Sequence, residues 1–174
     1  KSGGGVYTKA LSVSVTDSIV ENCYTVAANQ NGGGLCLSNS TTTTLSGTII
    51  QGCTATGMGG GVYHAAKGTF TVSNGSDISG NIARGEGDQD GNGNDLHNSG
   101  GGIYTKAVTF KLKNSIVSDN QAYGNGGGIC QNYNQTNGMM ELDGATVTGN
   151  IAGHMDENNN GVGKGGGIFT LTNL

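Results

Sequence analysis

Gly100-Gly-Gly-Ile-Tyr104, followed by Val117-Ser-Asp-Asn-Gln-Ala122, decides the fold of this chain. Neither stretch occurs once. Three glycines followed by Val, Leu or Ile begin at Gly3, Gly32, Gly59, Gly100, Gly126 and Gly165. The next residue is Tyr7, Cys36, Tyr63, Tyr104, Cys130 and Phe169 in turn. The second stretch returns as Val20–Cys23–Thr25, Ile50–Cys53–Ala55, Ile78–Asn81–Ala83, Val117–Asn120–Ala122 and Val147–Asn150–Ala152. Successive triplets are 29, 27, 41, 26 and 39 residues apart. Self-similarity at such a period marks a solenoid, propeller or array, so the fold follows from the shape of one repeat.

Working outward from the triplet, each repeat carries an alternating pair before the second signature. The pairs are Val13/Val15, Thr43/Leu45, Phe70/Val72, Phe110/Leu112 and Met140/Leu142. Short apolar runs of period two, bounded by Gly, Asn, Ser and Asp, predict strands. Glycine is also a poor helix former, by about 1 kcal/mol against Ala. Three short strands in about 27 residues make one coil of a parallel β-helix, with coils about 4.8 Å apart. The predicted architecture is all-β: a right-handed parallel β-helix of about five complete coils, in a single domain over 1–174.

Stacking then assigns the residues to ladders. Val6, Leu35, Val62, Ile103, Ile129 and Ile168 form one, and Val15, Leu45, Val72, Leu112 and Leu142 a second. Val20, Ile50, Ile78, Val117 and Val147 form a third. Each buried aliphatic is worth roughly 1.5–3 kcal/mol, so a thin column needs few of them. Asn81, Asn120 and Asn150 are expected at a corner, tolerating left-handed backbone and linking their amides to the coils on either side. Cys23 and Cys53 hold the same ladder position in the first two coils. Their spacing admits a disulfide, whereas parallel Cβ vectors favour two packed thiols. Cys36 and Cys130 share another ladder three coils apart, too far to pair, and act as small apolar fillers. The glycine triplets read as corners that exclude a Cβ; the competing reading is a bare face for a ligand.

Composition excludes several classes. The net charge is −4 with 8 Lys and Arg, which disfavours a nucleic-acid partner. No apolar run is long enough to span a membrane as a helix. The chain opens and stops inside a repeat, which suggests a window of a longer solenoid.

These residues carry a family likeness. Gly100–Tyr104, Val117–Ala122 and above all Thr146-Val-Thr-Gly-Asn-Ile-Ala152 resemble repeats of polymorphic outer-membrane proteins, which bear Gly-Gly-Ala-Ile and Phe-x-x-Asn. The broader class is bacterial β-helix surface proteins. Here a third Gly replaces Ala, Val or Ile replaces Phe, and Cys replaces Asn at 23 and 53. The resemblance implies an extracellular or cell-surface protein, autotransported or secreted, of the adhesin type.

Two insertions, 84–99 and 153–164, precede a triplet and leave the column at one corner, where solenoids commonly bind. Glu86, Asp88, Asp90 and Asn92 alternate, with Asp95 three residues on, as in the start of a calcium loop. Twelfth from Glu86 stands His97 in place of the bidentate Glu, so Ca²⁺ is a partial match and a solvated loop the plainer reading. The remaining carboxylates form no ladder, and His64, His97 and His154 have no nucleophile nearby in sequence. Thr41–Thr44 invites an ice-binding array, which the neighbouring repeats do not extend. The expected function is a non-enzymatic stalk, fibre or adhesin that self-associates or meets a surface glycan or protein. A fragment of a β-helix lyase or glycosidase is the alternative.

Overall fold

A computed structural model describes residues 2–85, 99–133, 136–155 and 161–171. It is a parallel β-solenoid without a helix among these residues. Four sheets run along the column. The triplet sheet holds Val6–Thr8, Leu35–Leu37, Val62–His64, Ile103–Thr105, Ile129–Gln131 and Ile168–Thr170. The broad sheet holds Ser12–Thr16, Thr42–Ser46, Thr69–Ser73, Thr109–Lys113 and Met139–Asp143. Ile19–Glu21, Ile49–Gln51, Asp77–Ser79, Ile116–Ser118 and Thr146–Thr148 make a third. Thr54–Ala55, Ile82–Ala83, Gln121–Ala122 and Ile151–Ala152 make the fourth, the corner sheet.

Two counts differ from the sequence expectation. A coil has four strands, because a two-residue strand follows the Asn corner and is too short to show alternation. Four coils carry all four strands; in the first coil the last strand shrinks to a single bridge between Tyr24 and Thr54.

The three apolar ladders run in register. Val6, Leu35, Val62, Ile103, Ile129 and Ile168 pair rung by rung. The Val15 and Val20 ladders do the same. Leu45, Ile50, Val62, Phe70, Ile78, Ile103, Leu112 and Val117 are fully buried, so the core is one continuous column. Phe70 and Phe110 pack edge to face within it at 5.4 Å. The middle residues of the triplet strands turn away from this core, yet Cys36, Tyr104 and Cys130 are also buried, and Tyr63 stacks on Tyr104 at 5.3 Å.

The triplet is explained by sterics, each glycine in its own way. Gly100 has φ +59, the left-handed region. A Cβ on Gly101 would strike the Gly127 carbonyl oxygen and the Gln121 backbone. A Cβ on Gly102 would lie 2.9 Å from Asn120 Nδ2. The triplet ribbon therefore packs directly on the corner sheet and the corner amides. A side chain there would pry two backbones apart.

Candidate functional site

The corner between the third and fourth sheets has two consecutive positions with opposite duties. Asn22, Gly52, Gly80, Asp119 and Gly149 hold left-handed φ between 54 and 63. The next residues, Cys23, Cys53, Asn81, Asn120 and Asn150, follow them inward. The expectation that Asn81, Asn120 and Asn150 take the left-handed backbone is thus corrected by one residue. The bend is made by their predecessors, mostly Gly or Asx, which tolerate it.

Freed from the bend, the three Asn side chains join coils. The Asn81 amide donates to the Ile50 carbonyl and to Asn120 Oδ1, both at 2.9 Å. Its own Oδ1 accepts the Cys53 N–H at 2.9 Å. Asn120 repeats the pattern, donating to the Ile78 carbonyl and Asn150 Oδ1 and accepting the Asn81 N–H. Asn150 donates to the Val117 carbonyl and accepts the Asn120 N–H. Asn81 and Asn120 are buried, so each satisfied amide avoids a penalty of about 1–3 kcal/mol per orphaned group.

At the same position in the first two coils both cysteines are free thiols. Cys53 Sγ lies 3.3 Å from the Gln51 carbonyl, and Cys23 Sγ lies 3.2 Å from that of Glu21. Burial pushes the Cys53 thiol up to about 11. A neutral thiol of this kind is a packing group rather than a nucleophile.

The left-handed positions make a surface feature of their own. Asn22 lies over Gly52, where an added Cβ would come within 2.7 Å of Asn22 Oδ1. Asp119 lies over Gly149 in the same way. Gly80, between them, is uncovered: an added Cβ would find nothing nearer than the Gly52 nitrogen at 3.9 Å. The result is an open trough of about 350 Å³, lined by Asn22, Gln51, Gly52, Ser79, Gly80 and Asp119. At one end Gln51 Nε2 donates to Glu21 Oε2 at 2.8 Å. Sequence reading missed this trough, although the Asx and Gly alternation that shapes it was visible.

The broad sheet presents a second polar surface. Ser12, Thr42 and Thr69 share a row, as do Ser14, Thr44 and Thr71, and Thr16, Ser46 and Ser73. These nine hydroxyl residues correct the expectation that the Thr array ends within one coil. Register, not Thr identity, defines the rows, and Ser fills them. The first row runs on to Thr109, while the middle row stops where Lys111 pairs with Thr71. Beyond it Glu141 bridges Lys111 at 3.1 Å and Lys113 at 2.6 Å. Exposed pairs of this kind contribute about 0–1 kcal/mol.

His64 lies inside the column. Its ring stacks on Phe70 at 5.0 Å, and Nδ1 is 3.1 Å from Thr105 Oγ1. Its Nε2 has no hydrogen-bond partner, and burial lowers its pKa to about 4. It is a core histidine.

Glu86, Asp88, Asp90, Asn92 and Asp95, the calcium-loop candidates, lie outside the described residues. Within the second insertion His154–Met155 pairs antiparallel with Gly161–Val162, so the chain leaves the coil there as a hairpin. Among the described residues no helix is long and apolar enough to cross a membrane, a statement that does not bear on β-barrels. Comparison with protein-family models, curated proteins and solved structures finds no match.

Proposed function

We propose that the chain is a rod-forming segment of an extracellular or cell-surface β-helix protein, structural or adhesive rather than catalytic. The observation that carries this reading is the unbroken register of the apolar and Asn ladders from coil to coil. Successive coils are tied by backbone bonds and packed side chains, which makes a column that resists bending and presents repeated outer rows. The likeness to bacterial β-helix surface repeats supports the cell-surface setting. The carboxylates around the trough also support a non-catalytic role. Glu21 and Asp119 sit three rungs apart, about 14 Å at the usual strand spacing. Glycosidase pairs stand about 5–9.5 Å apart.

The test is attachment of the purified chain to glycan-bearing cells, with oligosaccharide turnover followed in parallel. Attachment without turnover is expected. Turnover of any oligosaccharide would replace this reading with that of a β-helix lyase or glycosidase fragment.

A further inference from the structure

We infer that the trough over Gly52 and Gly80 holds a linear run of neutral sugar units, an assignment that rests on the adhesive role proposed above. The first argument is that no side chain from the preceding coil lies over Gly80. Its φ is +61, and Asn22 and Asp119 hold nearly the same angle, 54, in the same ladder. Gly52 and Gly149 must be bare because an Asx side chain from the preceding coil lies over each. Gly80 has open space where its Cβ would go. Asx residues hold this left-handed backbone at two other rungs of the ladder, and the bare corner at Gly80 keeps the trough open.

The second argument is chemical. The lining offers the amides of Asn22 and Gln51, the hydroxyl of Ser79 and the carboxylate of Asp119. Amides and hydroxyls both donate and accept, which suits a sugar hydroxyl that does the same. The lining holds no Lys or Arg, and Asp119 would repel a phosphate, sulfate or uronate. A long apolar ligand would cover these polar groups without pairing them.

The third argument is the repeat. Asn22, Gly52, Gly80 and Asp119 follow one another on successive coils, so the trough runs along the column for about 14 Å. Polar side chains line it at both ends, Asn22 and Asp119, and at Gln51 and Ser79 on the two coils between, about 4.8 Å apart. A linear glycan can reach polar groups on all four coils; a compact metabolite would use one rung and leave the others wet.

The experiment uses an array of linear neutral oligosaccharides of glucose, galactose, mannose and N-acetylglucosamine beside sulfated and uronate-bearing ones. Gly80→Asn fills the trough. Gly75→Asn is its control: Gly75 has φ +74 and open space, but belongs to the bend after the broad sheet. Both variants are expected to melt within a few degrees of the parent. The parent should bind a neutral oligosaccharide, Gly80→Asn should weaken that binding by about tenfold or more, and Gly75→Asn should leave it unchanged. Binding unaffected by Gly80→Asn overturns the trough assignment while the adhesive role stands. A parent that retains only acidic oligosaccharides overturns the neutral class. A parent that retains none of the oligosaccharides overturns the glycan assignment, and if it also fails to attach to cells the adhesive reading falls with it.

Discussion

The first two coils and the last three solve the same corner with different chemistry. Cys23 and Cys53 fill it with thiols that make one or two weak contacts to carbonyls. Asn81, Asn120 and Asn150 fill it with amides, each donating and accepting across coils. The backbone is the same in both halves: a left-handed residue, then an inward one, then an in-register two-residue strand or bridge. The corner thus requires something small and inward-facing that excludes water. Hydrogen bonding from amide to amide along the coils is an addition of the amide half; the thiol half has only the long Cys53 Sγ contact to the Val20 carbonyl, at 3.8 Å.

The sharpest way to break this comparison is to remove an amide. Asn120→Leu orphans the Asn81 N–H, the Ile78 carbonyl and part of both neighbouring amides. Urea unfolding should show a loss of about 4 kcal/mol, from several buried groups at about 1–3 kcal/mol each. Cys53→Ala, at the same position, should lose only about 1–2 kcal/mol as a small cavity. Equal losses would mean that the amides contribute nothing beyond filling.

Acid should act on the amide half next. His64, whose coil contains Asn81, is neutral in the fold because burial lowers its pKa from 6.5 to about 4. The unfolded chain therefore binds the proton more readily. Stability is complete above about pH 6.5, declines as the pH falls, and has lost this contribution, about 3 kcal/mol, below about pH 4. Phe70 and Thr105 contact the ring and a hydrogen bond to the Ser40 backbone only partly offsets its burial, with no charged group acting on it. His64→Leu should flatten this arm of a pH–stability curve; an unchanged slope would assign acid loss to other groups.

A third test converts one half into the other. Gly34 stands against Cys53 Sγ as Gly61 stands against the Asn81 amide, at 3.2 and 3.1 Å for an added Cβ, so the two seats are alike. Cys53→Asn should donate to the Val20 carbonyl and to Asn81 Oδ1, extending the ladder for a gain of about 1 kcal/mol. A loss would show that the thiol half is shaped for sulfur. The smallest effect concerns reactivity. Cys53 is fully buried with its thiol held at about 11, whereas Cys23 is partly exposed. A thiol reagent at pH 8 should label Cys23 in the native protein and reach Cys53 only on unfolding.

Much of the fold was legible because a solenoid repeats its inward residues. Val, Leu and Ile at one ladder position recur along the chain, and the alternation of period two assigns them to one face. The glycine triplet was legible as a corner, though not the separate steric demand on each of its three members. The fourth strand was not, since two residues carry no period. The hydroxyl array was obscured because Ser12, Ser14 and Thr16 align with Thr42, Thr44 and Ser46 only through the backbone register. Three spaced Asn residues were readable as a ladder; that their predecessors make the bend was not, since both residue types tolerate it.

The sequence by itself determined the coil, its period and its apolar ladders. All of these come from residues compared with their own repeats, and an inward Ile must find another apolar residue on the next rung. Only the tertiary structure decided which left-handed glycines lie under a side chain from the preceding coil and which, like Gly80, lie open. It also decided that Asn22 covers Gly52, and that His64 faces Phe70 with no acid beside it. Such facts depend on the space left between side chains on adjacent coils. Burial, hydrogen bonding and steric exclusion act at the few ångströms between rungs, and residues a whole coil apart in sequence come that close only once the column has formed.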